Sequence, residues 1–151
     1  MEWILRIALW NANGLIQHRQ ELILFLSTYR IDVMLISESH FTEKSYLNIP
    51  GFTVYNTQHP DGTAHGGTAI IVCNRIKHYS LPEYKTQHIQ ATSIMLMDAC
   101  GHIMFAAVYC PPKHKITQQA FATFFKSIGT RFIAGGDYNA KHQLWGSRFN
   151  T

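Results

Sequence analysis

The chain has 151 residues, 46% of them hydrophobic and 15% charged, which is enough apolar material for one buried core and too little charge density for a disordered tail. No apolar run reaches the eighteen or so residues of a membrane helix, because Arg6 interrupts the first and Asp32 precedes the second. Lys plus Arg number 13 and Asp plus Glu 9, a formal net charge of +4 that permits a polyanionic partner without demanding one.

Met1-Glu2-Trp3 carries an acid where a secretory leader needs a basic segment, so an intracellular protein, nuclear or cytoplasmic and without a membrane partner, is expected. From Trp3 to Trp10 the chain is short-range apolar, β-branched and aromatic, and it stops at Asn11-Ala12-Asn13-Gly14; this predicts a buried strand ending in a polar loop. Leu22, Phe25, Leu26 and Tyr29 then recur at i, i+3, i+4 and i+7, the spacing of an amphipathic helix. Val33 to Ile36 is a second strand, again ending in polar residues, Ser37-Glu38-Ser39-His40. Strand, helix, strand is an α/β opening.

Phe41 to Pro60 reads as irregular, with a turn at Pro50-Gly51, and Gly66-Gly67 leads into a strand over Thr68 to Val72. Ile89 to Met97 and Ile103 to Tyr109 flank Asp98-Ala99-Cys100-Gly101, an antiparallel hairpin with glycine at its left-handed turn position. Pro111-Pro112 ends that strand. Thr117 is an N-cap for a helix in which Phe121, Phe124, Phe125 and Ile128 share a face up to Gly129. Arg131 to Ala134 is the last strand, running into Gly135-Gly136-Asp137-Tyr138-Asn139. Trp3, Phe105, Phe121, Phe124 and Phe132 fall at core positions, and Trp145 is left unassigned. No repeat or linker divides residues 1–151, and Cys73, Cys100 and Cys110 lack the C-x-x-C spacing of a zinc knuckle or a disulfide framework.

Four strands therefore end in polar residues: Asn11 and Asn13, Glu38, Tyr109, and Asp137 with Asn139. Strand ends are where α/β folds gather their sites. Two carboxylates, three amides and a phenol form an oxygen-rich set that suits a hard cation such as Mg²⁺, and a thiol or histidine metal site fits less well. A cation held by one or two carboxylates completes its shell with substrate phosphate, so the set points to phosphoester chemistry. Basic residues at Arg75, Lys77, Lys113 and Lys115 are candidates for contacts to a nucleic-acid backbone.

Trp10-Asn11-Ala12-Asn13-Gly14-Leu15, Ile36-Ser37-Glu38-Ser39-His40, Val108-Tyr109-Cys110-Pro111-Pro112 and Gly135-Gly136-Asp137-Tyr138-Asn139-Ala140 resemble, in order, successive motifs of the exonuclease-endonuclease-phosphatase superfamily. With Lys141-His142 and Leu144-Trp145-Gly146-Ser147 following, the set is most similar to the apurinic-type endonuclease domain of non-LTR retrotransposons of the Jockey and R1 kind. The resemblance implies the N-terminal part of a four-layered αββα sandwich with mixed, largely antiparallel sheets. It implies Glu38 as principal Mg²⁺ ligand, with Mn²⁺ an alternative, Asn11 close to metal and phosphate, and Asn13 where repair relatives often carry an aspartate. It further implies that Tyr109 polarises the scissile phosphate, that Asp137 orients or deprotonates the attacking water, and that Asn139 donates to the phosphoryl oxygens. The implied partners are DNA and a reverse transcriptase domain of the same element.

The family's later Ser-Asp-His motif has no counterpart in these 151 residues, so an incomplete domain is expected. Neither His40 nor His142 has a following acid placed to orient it as a substitute. Three readings follow: a Mg²⁺-dependent DNA endonuclease that nicks target DNA to prime reverse transcription, a superfamily phosphoesterase acting on abasic-site DNA or another phosphate ester, and a non-catalytic remnant that binds nucleic acid weakly.

Overall fold

The structure, a computed structural model, describes residues 4–113 and 115–140. In chain order its elements are β1 (Ile7–Asn11), α1 (Arg19–Tyr29), β2 (Val33–Ser37), β3 (Phe52–Thr57), β4 (Thr68–Cys73), β5 (His78–Ser80), β6 (Tyr84–Lys85), β7 (Gln90–Asp98), β8 (Gly101–Tyr109), α2 (Gln118–Ser127) and β9 (Phe132–Asp137). A single 3-10 turn, Ile16–His18, leads into α1. No helix among the described residues is long and apolar enough to cross a membrane.

Two sheets form. The first runs β1-β2-β4-β3 and the second β5-β7-β8-β9, with β6 also on β7. The pairs β1/β2 and β8/β9 are parallel, and every other ladder is antiparallel. Each parallel pair is joined by a helix, α1 or α2, because a parallel return needs a crossover. Alternate residues of β2 show how the layers stack. Met34 and Ile36 pack with Leu22 and Leu26 of α1, while Val33 and Leu35 pack with Ile94, Leu96 and Phe105 of the second sheet. On its other side the second sheet presents Met104, Ala106 and Val108 to Phe124 and Ile128 of the α2 segment. The order is helix, sheet, sheet, helix, and β2 is buried throughout, and apolar up to its terminal Ser37, because both of its faces are covered.

Several expected elements need correction. Residues 52–57, expected to be irregular, form β3, in which Phe52 and Val54 face one core and Tyr55 the other, a period of two masked by the polar residues that follow. The last strand continues through the two glycines to Asp137. Those glycines serve close approach instead of a turn: a Cβ on Gly135 would lie 2.5 Å from Leu9 Cδ2, and one on Gly136 would lie 1.9 Å from the Val108 carbonyl oxygen. The inward stripe of α1 is Leu22, Ile23 and Leu26, whereas Phe25 and Tyr29 stack on each other outside, ring centroids 4.8 Å apart. Of the expected core aromatics, Phe105 and Phe124 are fully buried, and Phe121 and Phe132 pack around Phe124. Trp3 and Trp145 lie outside the described residues.

Ile70 sits between the sheets with no exposed surface, whereas Leu24 on α1 is 68% exposed. In guanidinium unfolding, Ile70→Ala is expected to cost about 2–5 kcal/mol and Leu24→Ala no more than about 0.5 kcal/mol.

Candidate active site

Parallel pairing places the ends of β1 and β2 side by side, with Asn11 opposite Ser37 and Glu38 next in the chain. The same logic sets Tyr109 at the end of β8 opposite Asp137 at the end of β9. Stacking of the sheets then brings β1 and β2 against β9, so all four polar ends share one rim. A groove there is lined by Leu9, Trp10, Asn11, Ser37, Gly136 and Asp137.

Asn11 is the junction. Its side-chain amide donates to Glu38 Oε1 at 2.9 Å and to Asp137 Oδ2 at 3.1 Å, and its side-chain carbonyl accepts from the Asn13 N–H at 3.2 Å. An amide NH₂ has two donors, and here each is used on a different carboxylate. Among the described residues no Lys or Arg pairs with Glu38 or Asp137; the ionisable groups beside Glu38 are the Tyr109 phenol, in side-chain hydrogen-bond contact, and His40, whose Nε2 is 3.6 Å from Glu38 Oε2. Two carboxylates joined by a neutral bridge keep spare lone pairs on their oxygens and a negative charge that no Lys or Arg offsets. That donor set fits a hard divalent cation.

The backbone is strained where these groups meet. Asn13, Glu38, His40 and Asn139 all have left-handed φ, at 43°, 54°, 57° and 48°, and only Arg30, past the end of α1, shares this conformation among the described non-glycine residues. Such residues persist only when their surroundings fix them. The Glu38 and Ser39 carbonyls accept from the Gly14 and Leu15 N–H groups, and the His40 N–H donates to the Gly66 carbonyl at 3.0 Å. Gly67 is held from below by the fully buried Gln90, whose Oε1 accepts the Gly67 N–H at 3.0 Å.

On the second sheet, Asp137 Oδ1 accepts the Asn139 N–H at 2.9 Å, and Asn139 Nδ2 donates to the Cys110 carbonyl at 2.7 Å. Burial, and then the negative charges of Glu38 and Asp137, push the Tyr109 phenol up to about 12, so it is a proton-bearing donor at neutral pH. Burial followed by Asp137 also pushes the Cys110 thiol up to about 12.

The structure thus brings together Asn11, Glu38, Tyr109, Asp137 and Asn139. Asn13 joins them through its backbone, as part of the turn beside Asn11. Lys113 and Lys115 are exposed and follow Tyr109 by four and six residues in the chain, and His114 lies outside the described residues, as does His142. Arg75 and Lys77 are elsewhere: Arg75 pairs with Asp32 at 2.8 Å, and Asp32 precedes β2 whereas Glu38 follows it, roughly 20 Å away along the strand. Sequence reading missed Gln90, a polar residue opening a strand, whose pairing opposite Tyr109 was the only signal. It also missed the histidines of the β3–β4 connection, whose signal was spacing alone.

A model of the Endonuclease/Exonuclease/phosphatase family matches residues 8–151. The chain belongs to the Endonuclease/Exonuclease/phosphatase family. "RNA-directed DNA polymerase from mobile element jockey" of Drosophila funebris is 43% identical over 143 residues, which are 95% of this chain and 16% of the relative. The chain therefore spans about a sixth of the length of the curated relatives it matches. The endonuclease domain of TRAS1, a telomere-specific non-LTR retrotransposon, superposes with a TM-score of 0.72 at 22% identity, over 97% of this chain and 66% of that one. The catalytic domain of Xenopus laevis APE2 gives a TM-score of 0.61 at 15% identity, over 90% of this chain and 59% of that one. At these identities the likeness establishes the fold, a mixed α/β arrangement with two mixed sheets.

Replacing the neutral bridge by a third carboxylate tests the charge argument. Asn11→Asp is expected to lower stability by about 1–2 kcal/mol in EDTA, near 2–8 °C in Tm, and to recover on adding Mg²⁺. An equal loss with and without the ion would refute it. With a disulfide reagent at pH 8, exposed Cys100 is expected to react first and Cys110 only on unfolding.

Proposed function

We propose that this chain is the DNA-cleaving part of a retrotransposon protein, a Mg²⁺-dependent endonuclease that hydrolyses a phosphodiester by in-line attack of water. The observation that carries this reading is the Asn11 amide bridging Glu38 and Asp137, which gathers two carboxylates from two sheets on one open rim. Glu38, with Asn11 and Asp137 beside it, would hold the ion, and when bound there Mg²⁺ or Mn²⁺ supplies positive charge against the negative charge developing on the phosphoryl oxygens.

The chain's own residues have the remaining roles. Asp137 accepts a proton from, or orients, the attacking water. Tyr109, protonated at neutral pH, donates to a phosphoryl oxygen, and Asn139 has one amide N–H left for the same purpose once the other is used on Cys110. Lys113 and Lys115, which follow Tyr109 in the chain, supply positive charge for the DNA backbone. Arg75 and Lys77 would meet DNA only if it wrapped to the far end of the first sheet. The jockey relatives are named as RNA-directed DNA polymerases, which supports a polymerase domain as the tethered partner. In this reading residues 1–151 form part of one domain of the family.

In a complete version of this domain, supercoiled plasmid is expected to be nicked in Mg²⁺ and left intact in EDTA. Glu38→Gln and Asp137→Asn are each expected to slow nicking at least about a hundredfold, the scale of removing one preorganised group, with the far-UV spectrum unchanged. Undiminished nicking by either folded variant would overturn the role given to that residue.

A further inference from the structure

The connection between β3 and β4 contains a second group of ligand-type side chains that the strand-end site does not use. His59, Asp61 and His65 each present one ligand atom, and these atoms lie within 4.8 Å of one another. His59 Nδ1 is 2.9 Å from Asp61 Oδ1, and His65 Nε2 is 3.4 Å from Asp61 Oδ2. Ligands held tetrahedrally at about 2.0–2.1 Å from Zn²⁺ sit roughly 3.3 Å apart, a spacing that the His65–Asp61 pair already has and that the His59–Asp61 pair reaches by opening about half an ångström. The two imidazoles lie with centroids 3.8 Å apart on the single carboxylate.

Two of the three ligands, Asp61 and His65, are braced from outside. Thr63 Oγ1 contacts His65 Nδ1, which leaves Nε2 directed at Asp61, the orientation that an outer partner gives a metal-binding histidine. The Thr63 N–H and hydroxyl both donate to Asp61 Oδ1, at 2.9 and 2.8 Å, and the backbone bond is the main reason its carboxyl is held down to about 2. His59 is turned inward, with 16% of its side chain exposed, while Asp61 and His65 are half-exposed at 50% and 51%. One side of the trio therefore stays open for water or another ligand.

We propose that His59, Asp61 and His65 bind a divalent transition cation of the Zn²⁺ class, at a site separate from the Glu38–Asp137 pair. Two imidazoles and one carboxylate suit Zn²⁺, Co²⁺ or Ni²⁺ and suit Mg²⁺ poorly. The site ends where the other begins: Gly66 follows His65, its carbonyl accepts the His40 N–H, and a Cβ placed on it would be 3.0 Å from His59 Cδ2 and 3.3 Å from Tyr109 Cε1. An ion here would fix the loop that flanks Glu38 and Tyr109.

Zn²⁺ titrated calorimetrically into the full 151-residue chain, with Co²⁺ as a visible-absorbance probe, tests this independently of nicking. With excess Mg²⁺ present to occupy the strand-end carboxylates, one Zn²⁺ per chain is expected to bind, with Co²⁺ bands displaced by Zn²⁺. Glu38→Gln is expected to leave binding unchanged, and His59→Ala, His65→Ala and the near-isosteric Asp61→Asn each to weaken it at least about tenfold. No binding to the wild-type chain would overturn the proposal. So would loss of binding in Glu38→Gln, which assigns the ion to the strand-end carboxylates, or equal weakening by His65→Ala and by His102→Ala on the exposed hairpin, which signals scattered surface histidines.

Discussion

Parallel pairing of β1 with β2 and of β8 with β9 is the constraint from which the rest of the architecture follows. A parallel pair puts both C-terminal ends at one edge, and the crossover helix it requires must cover one face of its sheet. The chain does this twice. The first unit delivers Asn11 and Glu38 under α1, the second Tyr109 and Asp137 under α2. Packing the uncovered faces against each other, through Val33, Leu35, Ile70, Ile94 and Phe105, then joins the two pairs of ends into one rim. The hydrophobic contact between the sheets is thus what sets the distance between the carboxylates.

That rim costs stability that the core must offset. Two carboxylates share one neutral amide, and four residues around them hold left-handed backbone, each at roughly 1–3 kcal/mol for a non-glycine residue. The surrounding chain fixes them by backbone hydrogen bonds to the Gly14 turn and the Gly66-Gly67 loop. Gly67 has no freedom to change, because a Cβ would come within 2.8 Å of the Thr57 carbonyl oxygen. The site is therefore preorganised by tight backbone contacts more than by side-chain packing.

Much of this was legible in sequence for one reason. Strands covered on both faces, such as Val33 to Ser37 and Thr68 to Cys73, read as apolar runs, and the polar residues that end them stand out by contrast. β3 was not legible, because its outer residues are half-exposed and its hydrophobic period is broken by Asn56. Gly135-Gly136 read as a strand terminator when their role is close packing against Leu9 and Val108, a fact that only tertiary neighbours reveal. The site residues could be picked out by type, but Asn11 as the bridge could not, since its two partners come from different strands. Arg75 and Lys77 looked like a basic cluster equal to Lys113 and Lys115 until the antiparallel course of β4 carried them to the opposite end.

The Asn11–Asp137 hydrogen bond spans 126 residues of sequence. The first strand-helix-strand unit is local and holds Glu38, but its anionic partner arrives with the last described strand. At synthesis rates of about 5–20 residues per second, roughly 6–25 s separate the emergence of Asn11 from that of Asp137. Non-local closure of this kind is a late event in folding. A nascent or partly unfolded chain therefore presents Glu38 without its counterpart, and the paired carboxylates exist only after β9 has docked beside β8.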